Sequence, residues 1–237
     1  MRKPAVIRLS VHGAAGRMGA RICTLSRDDP RFQLVSEIDQ KSNTGAVGAD
    51  TPIDAVIDFS SDEGARCAVA LALEHRAALL VGTTGLSRQT LSTIEVAAQT
   101  IPTMIAPNTS AGVAVMIHLV TEAARLLGPD YDVDLIEVHH RAKRDAPSGT
   151  ALRIAETMKR KTGIELPKDR IHPVRTGDVI GEHTVEFSSD GERVRIAHLA
   201  TSRDLFARGA LAAVKWLHGR DPGRYTIEQS LGLDQVS

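Results

Sequence analysis

Short apolar runs alternate with helix-length amphipathic segments through the first half of the chain. This pattern, expected of a parallel sheet wrapped by helices, narrows the fold more than any other feature. The candidate strands are Ala5–Val11, Gln33–Ile38, Ala55–Phe59, Ala78–Val81 and Thr103–Ile105. Helices are expected at about Arg17–Ser26, Glu63–His75 and Gln89–Gln99, with a longer one at about Gly112–Leu127. In Gln40–Ile53, the residues QKSNTGAVGADTPI leave no periodic face, so this crossover reads as a loop. After Asp130 the texture changes. Asp132–His139, Thr184–Phe187 and Arg193–Ala200 alternate as strands, with an Asp-Gly turn in Ser188–Glu192. The helix Asp204–His218 and a tail follow.

Composition removes several classes of function. The 29 basic residues cancel the 29 acidic ones, so the overall balance calls for neither nucleic acid nor a membrane surface, and any anion site must be local. Cys23 and Cys67 both sit inside apolar helical patterns and read as two buried thiols in a reducing compartment. The start MRKPAVIRLSVHG is too short an apolar run for a signal peptide, and no stretch of about 18 apolar residues is read. The expected location is the cytoplasm.

VHGAAGRMG is the first chemical motif: a strand ends at His12 and a helix opens across Gly13, Gly16 and Gly19. Glycine there lets backbone amides and the positive helix end approach a pyrophosphate, with Ala14, Ala15 and Met18 in the same turn and Arg17 adding a charge. Asp39 closes the second strand about 20 residues beyond the last glycine, where a carboxylate accepts hydrogen bonds from ribose hydroxyls. Three later strand ends, DFSS, GTTG and APNTS, carry small polar residues. In a doubly wound sheet these ends form the ligand crevice. Gly82, Thr83 and Thr84 then fall beside the nicotinamide half, as do Ala106, Pro107, Asn108 and Thr109.

EVHHRAKRDAPSGTAL, Glu137–Leu152, holds a second motif. No metal is expected, since His139 and His140 are neighbours at a strand end and no cysteine or second histidine at helical spacing stands nearby. A nucleic-acid patch is set aside because HHRAKR is short and lacks interleaved aromatics. What favours a site is a cationic cluster joined to a Ser148-Gly149-Thr150 turn that opens the helix Ala151–Lys161 and offers free amides to a carboxylate.

Together GAAGRMG, GTTG, APNTSAGV, EVHHRAKRDAPSGTAL, GDVIGEHTVEF and SRDLFARGA resemble the dihydrodipicolinate reductase family over almost the whole chain. The resemblance implies an α/β fold with a Rossmann-like dinucleotide-binding domain, residues 1–109 and 204–237. A second α+β domain on an open mixed sheet, residues 110–203, would bind substrate and join a homotetramer. It implies an NAD(P)H-dependent reductase of lysine and diaminopimelate biosynthesis acting on a small cyclic dicarboxylate. His139 would be the general acid/base, Lys143 the proton donor, and His140, Gly149 and Thr150 the substrate holders. Two departures stand out. Gln40 follows Asp39 where many relatives have arginine, which favours NADH over NADPH, although members often accept both. Thr109 replaces an aromatic residue. The competing reading is a non-catalytic NAD(P)-sensing module on the same fold.

Overall fold

Strands buried on both faces cannot alternate polar and apolar residues, and the runs AVID and ALLV do not. In the structure, a computed structural model describing residues 6–39 and 51–233, every residue of both runs is buried. In chain order the first unit holds β1 (Ile7–His12), α1 (Arg17–Arg27), β2 (Phe32–Ile38), β3 (Ala55–Asp58) and α2 (Asp62–His75). It continues with β4 (Ala78–Val81), α3 (Arg88–Ala97) and β5 (Pro102–Ile105). A second unit follows with α4 (Ala111–Leu127), β6 (Asp132–His139), α5 (Gly149–Thr162), β7 (Ile171–Arg175), β8 (Glu182–Ser189) and β9 (Glu192–Leu199). The chain then returns to the first unit as α6 (Asp204–Leu217), β10 (Gly223–Tyr225) and α7 (Ile227–Ser230). The two compact units are Met1–Ser110 with Asp204–Ser237, and Ala111–Arg203. The loop expected over Gln40–Ile53 lies mostly outside the described residues.

The first unit is a six-stranded parallel sheet in the order β10-β5-β4-β3-β1-β2. The chain passes from β1 to β2 on one side and places β3 on the other, so strand order reverses at β1 and the carboxyl ends of β1 and β3 border the crevice. Val56, Leu79 and Val81 pack under Ala65, Ala68, Val69 and Ala72 of α2 and Ile94 and Ala97 of α3. Those alanines let the helix lie close to the sheet. α2 begins on Ser61, whose hydroxyl accepts from the Gly64 amide at 3.1 Å, a cap worth about 1 kcal/mol. On α1, Arg21 donates to the Asp204 carboxylate from Nε at 2.8 Å and pins the start of α6.

That stripe corrects one expectation. Ala65, Ala68, Val69 and Ala72 recur at helical spacing and define the buried face, and Cys67 falls off it and is exposed. Cys23 is buried, and burial, with Glu37 nearby, pushes its thiol up to about 12.

The second unit carries a four-stranded sheet in the order β7-β6-β8-β9, with β6 and β7 parallel and the other pairs antiparallel. One face is covered by α4 and α5 and the other is open, which is why β6 and β8 alternate buried with exposed or half-buried residues. Val133, Leu135, Val185 and Phe187 point inward against Val113, Ile117, Val120, Ile154 and Met158. Among the described residues one helical stretch, α4 with the turn after it, Ala111–Asp130, is long and apolar enough to cross a membrane by length and composition alone. The linear reading expected none. Its Val113, Met116, Ile117, Val120 and Ala124 belong to this core, which accounts for much of that apolarity. β7 escaped the sequence reading because Pro173 interrupts it, and proline is tolerated there because β7 is an edge strand.

Candidate active site

In the first unit the β1–α1 turn is built by interlocking backbone. Gly13 has a φ of +77°, and a Cβ on it would lie 2.3 Å from the Phe59 carbonyl oxygen. Gly19, one turn into α1, passes so close that its Cβ would lie 2.0 Å from the Gly13 oxygen. Any side chain at either point would push the helix start away from the strand ends. Gly16 caps α1 with extended backbone, Arg17 and Ala15 are exposed, and Met18 is half-buried. The Gly13 and Ala14 amides donate to the Ile38 oxygen at 2.8 and 3.2 Å, tying the turn to β2. Asp39 closes β2 and accepts from the Ala15 amide at 3.1 Å, so strand end and turn hold each other in place.

A cleft of about 670 Å³ opens there, lined by His12, Gly13, Gly16 and Asp39 on one side and by Phe59, Ser61, Gly64 and Cys67 on the other. Its size suits a small-molecule or cofactor site. The cradle that a Cβ would fill, a helix start with no side-chain cap and the acidic strand end fit a dinucleotide. The other candidate cofactor residues lie at the ends of β4 and β5. Gly82 donates to the Asp58 oxygen at 2.7 Å and Ala106 to the Val81 oxygen at 2.8 Å, while Thr84 and Pro107 are exposed. Asn108 accepts from the Ser110 amide at 2.9 Å. Two side chains are already committed. The Thr83 hydroxyl donates to Asp58 at 2.6 Å and accepts from the Ser60 amide at 2.8 Å, and Thr109, 1% exposed, donates to the Phe206 carbonyl at 2.6 Å. Burial pushes Asp58 up, against the hydroxyls of Ser60 and Thr83. Sequence reasoning missed this carboxylate.

In the second unit the period of two does the positioning. The register that turns Val133 and Leu135 into the core turns Glu137 and His139 onto the same face, and His183 stands opposite Glu137 on β8. The apolar inner face of the sheet therefore becomes polar at one end. Glu137 has no exposed surface; its Oε1 accepts from the Ser148 amide at 3.0 Å and Arg175 at 2.8 Å, and its Oε2 accepts from Arg175 at 3.0 Å and meets His139 Nδ1. Burial alone would push Glu137 up, and the bonds from Arg175, His139 and Ser148 outweigh it and leave it below its ordinary value. For His139 burial wins: it is lowered although Glu137 pulls the other way. Ser148 caps α5 by accepting from the Ala151 amide at 3.2 Å, and its hydroxyl also meets His183 Nε2 at 3.2 Å. Burial takes His183 down to about 4.

The remaining candidates surround this knot. His140 follows β6 and is half-buried, Gly149 opens α5 exposed, and Thr150 follows it. Lys143 reaches Asp145 at 2.8 Å and holds that carboxyl below its usual range. Glu137, Arg175 and His183 were not singled out from sequence. Alternation could have found two of them, since Glu137 shares the face of Val133, Leu135 and His139, and His183 that of Val185 and Phe187. Arg175, on an interrupted edge strand, gave no signal. Glu137, His139 and His183 offer possible metal-ligating atoms within 4.8 Å of one another. The Arg175 guanidinium, however, already occupies both oxygens of the one carboxylate among them.

Comparison with known proteins agrees in both units. Residues 7–109 match the family description "Dihydrodipicolinate reductase, N-terminus" and residues 112–231 match "Dihydrodipicolinate reductase, C-terminus". The chain belongs to the dihydrodipicolinate reductase family. Among its members, the 4-hydroxy-tetrahydrodipicolinate reductase of Syntrophus aciditrophicus is 36% identical over 96% of this chain and 99% of the relative. That of Stenotrophomonas maltophilia is 40% identical over 95% and 98%. A solved dipicolinate-bound dihydrodipicolinate reductase from Paenisporosarcina sp. TG-14 shares the fold, with a TM-score of 0.78 at 21% identity over 94% of this chain and 98% of that one. A nicotinamide dinucleotide is the cofactor that this family's N-terminal part and the cradle at Gly13 support.

The buried histidines give this dihydrodipicolinate reductase family member a defined acid response. Burial takes His12, like His183, from 6.5 to about 4. The unfolded chain therefore binds these protons first as pH falls, and stability present at neutral pH is lost between about 6.5 and 4. Each ring is expected to cost about 2 kcal/mol between pH 7 and pH 5. Urea denaturation at the two pH values checks this: His12→Leu should shrink the difference, and an unchanged difference would refute the assignment.

Proposed function

We propose that the protein catalyses the NAD(P)H-dependent reduction of dihydrodipicolinate, formed from 4-hydroxy-tetrahydrodipicolinate, to tetrahydrodipicolinate. The observation that carries this reading is the buried His139 held beside the start of α5 within the motif EVHHRAKRDAPSGTAL, in a chain that matches curated reductases from end to end. A bound nicotinamide supplies hydride to the substrate's conjugated system. The chain's own residues must then hold two carboxylates and manage one proton.

For binding, His140 and the Gly149 and Thr150 backbone would meet the substrate at the α5 N-terminus, where the helix end is positive and where the Gly149 amide now bonds the Asp145 carboxylate. For the proton, His139 serves as general acid/base and Lys143 as donor, each adding the roughly 10²–10⁴-fold typical of a positioned group. Lys143 would leave Asp145 for the incoming dianion. The side chain of Asp145 is 57% exposed, so solvent takes over that charge at little cost. A module that only senses nucleotide has no use for a buried general acid/base such as His139, which disfavours the alternative.

On the cofactor side, the turn residues from Gly13 to Met18 take the pyrophosphate, Asp39 the adenosine ribose, and the ends of β4 and β5 the nicotinamide half. Because the Thr109 hydroxyl is tied to the Phe206 carbonyl of α6, its side chain is not available to the cofactor. NADH is the preferred donor: Asp39 faces the ribose, and Gln40, which lies outside the described residues, brings no cation to offset a 2′-phosphate. A cytoplasmic homotetramer joined through the open sheet completes the reading. That face presents Ile136, Val174 and Leu199, which are 39%, 41% and 58% exposed.

Three measurements check these assignments. Lys143→Ala should bind NADH like the parent in a fluorescence titration while losing about 10²–10⁴-fold in turnover when a synthase supplies the unstable substrate; parental turnover would remove Lys143 from the chemistry. NADH should show the lower apparent Kd at fixed salt, and equal values for NADPH would contradict the role given to Asp39 and Gln40. Sedimentation equilibrium should give four times the 25.4 kDa chain mass, reduced by Ile136→Asp; a monomer at assay concentration would end the tetramer proposal.

A further inference from the structure

We propose that Glu137 is the positioning residue of the second unit: one buried carboxylate decides which nitrogen of His139 carries the proton and holds the start of α5 in register with that ring. The proposal rests on the reading that His139 handles a proton. It adds residues that the reaction itself does not name.

An ionised carboxylate has about four lone-pair sites and no proton to give. Glu137 meets four donors: two from Arg175, one from the Ser148 amide and one from His139 Nδ1. Three of the four can only donate, so the carboxylate must accept throughout, and Nδ1 must carry a hydrogen if it is not to face a lone pair across a buried contact. Nδ1–H is thus fixed in both charge states of the ring. Nε2 is left as the nitrogen that gains and loses a proton. The space beside it is kept open by Gly181, whose Cβ would lie 3.0 Å from Nε2.

Arg175 makes this arrangement possible. A carboxylate without water and without a cation takes up a proton and turns into a donor on one oxygen. The guanidinium prevents this by sitting on both oxygens, and it also donates to the Asp145 carbonyl, which anchors the loop before α5. His183 braces the other side: its ring meets His139 edge-on at 5.2 Å and 78°, and its Nε2 reaches the Ser148 hydroxyl that caps α5. The circuit from Arg175 through Glu137, Ser148 and His183 back to His139 joins the proton-handling ring to the helix start assigned to the substrate carboxylate. A divalent cation on Glu137, His139 and His183 would have to compete with the guanidinium for the carboxylate oxygen it took. Positioning by hydrogen bonds is therefore favoured over ligation.

The test reads the ring directly. In full-length protein labelled with 15N-histidine, long-range 1H–15N correlation should show neutral His139 as the Nδ1–H tautomer, its signal assigned by its loss in His139→Asn. In Glu137→Gln the amide oxygen can keep the Ser148 bond and the Arg175 Nη2 bond, while the NH₂ group gives up the Nη1 bond and faces Nδ1, so the ring should switch to the Nε2–H tautomer. Turnover should fall by roughly 10²–10⁴-fold with NADH binding unchanged. Inhibition by pyridine-2,6-dicarboxylate should survive in Glu137→Gln and weaken in Glu137→Ala, which frees the α5 start. An Nε2–H tautomer in the parent overturns the proposal even if Glu137→Gln fails to fold, and so does a Glu137→Gln protein with parental tautomer and turnover. A parent with the expected tautomer but no reductase activity would instead sink the functional reading and leave the positioning claim standing.

Discussion

A carboxylate with no access to water stays ionised only where other groups replace its hydration shell in full, and the second unit is arranged around meeting that condition at Glu137. Two guanidinium hydrogens, a backbone amide and an imidazole N–H take the place of water. They come from three separate elements: β7, the start of α5, and β6 itself. The condition can be met only when the β6–β7 register sets Arg175 beside His139 and the loop returns Ser148 to the strand end. Fold and site share one requirement here. Slipping β6 by one residue would turn Glu137 and His139 to the open face and Ile136 and Val138 into the core.

The first unit solves its problem with backbone. The proposed dinucleotide site needs backbone that an anion can approach, and the close passage of Gly13, Gly19 and Phe59 leaves no room for side chains there. Asp39 contributes twice, bonding the Ala15 amide and standing at the cleft where a ribose would lie. Mistakes in the two units should therefore look different. Added volume does harm in the first, whereas in the second the harm comes from a lost or misplaced hydrogen.

The sequence made the regular parts of this molecule legible and left the closing parts silent. β4 and β6 match their expected bounds because each is an uninterrupted pattern of one period, fully buried in β4 and alternating in β6. β10 has only three residues and no pattern to read, and Pro173 breaks β7. Within the candidate site, the residues that the sequence singles out lie inside dense motifs, from Gly13 to Lys143. Residues that act from a distance were not: Arg175 is 38 positions from Glu137, and a pairing that long leaves no local trace. Cys67 shows the opposite failure. Its neighbours are apolar, but exposure depends on the helical angle and not on the company a residue keeps in sequence.

The cluster HHRAKR reads in sequence as one block of charge, and the structure divides the cations around it into two kinds. Arg175 is paired with a fully buried carboxylate, and breaking such a pair by removing one partner costs about 3–5 kcal/mol because a bare charge is left inside. Lys143 is paired with the exposed Asp145, and pairs of that sort contribute about 0–1 kcal/mol. A ligand that arrives with two negative charges can therefore draw Lys143 away at almost no cost and cannot draw Arg175 at all. The same difference would keep Glu137 ionised while a dianionic substrate came and went at the proposed site. A chain with 29 positive and 29 negative side chains needs no excess of charge to hold a dianion, only one cation whose resting partner is easily given up.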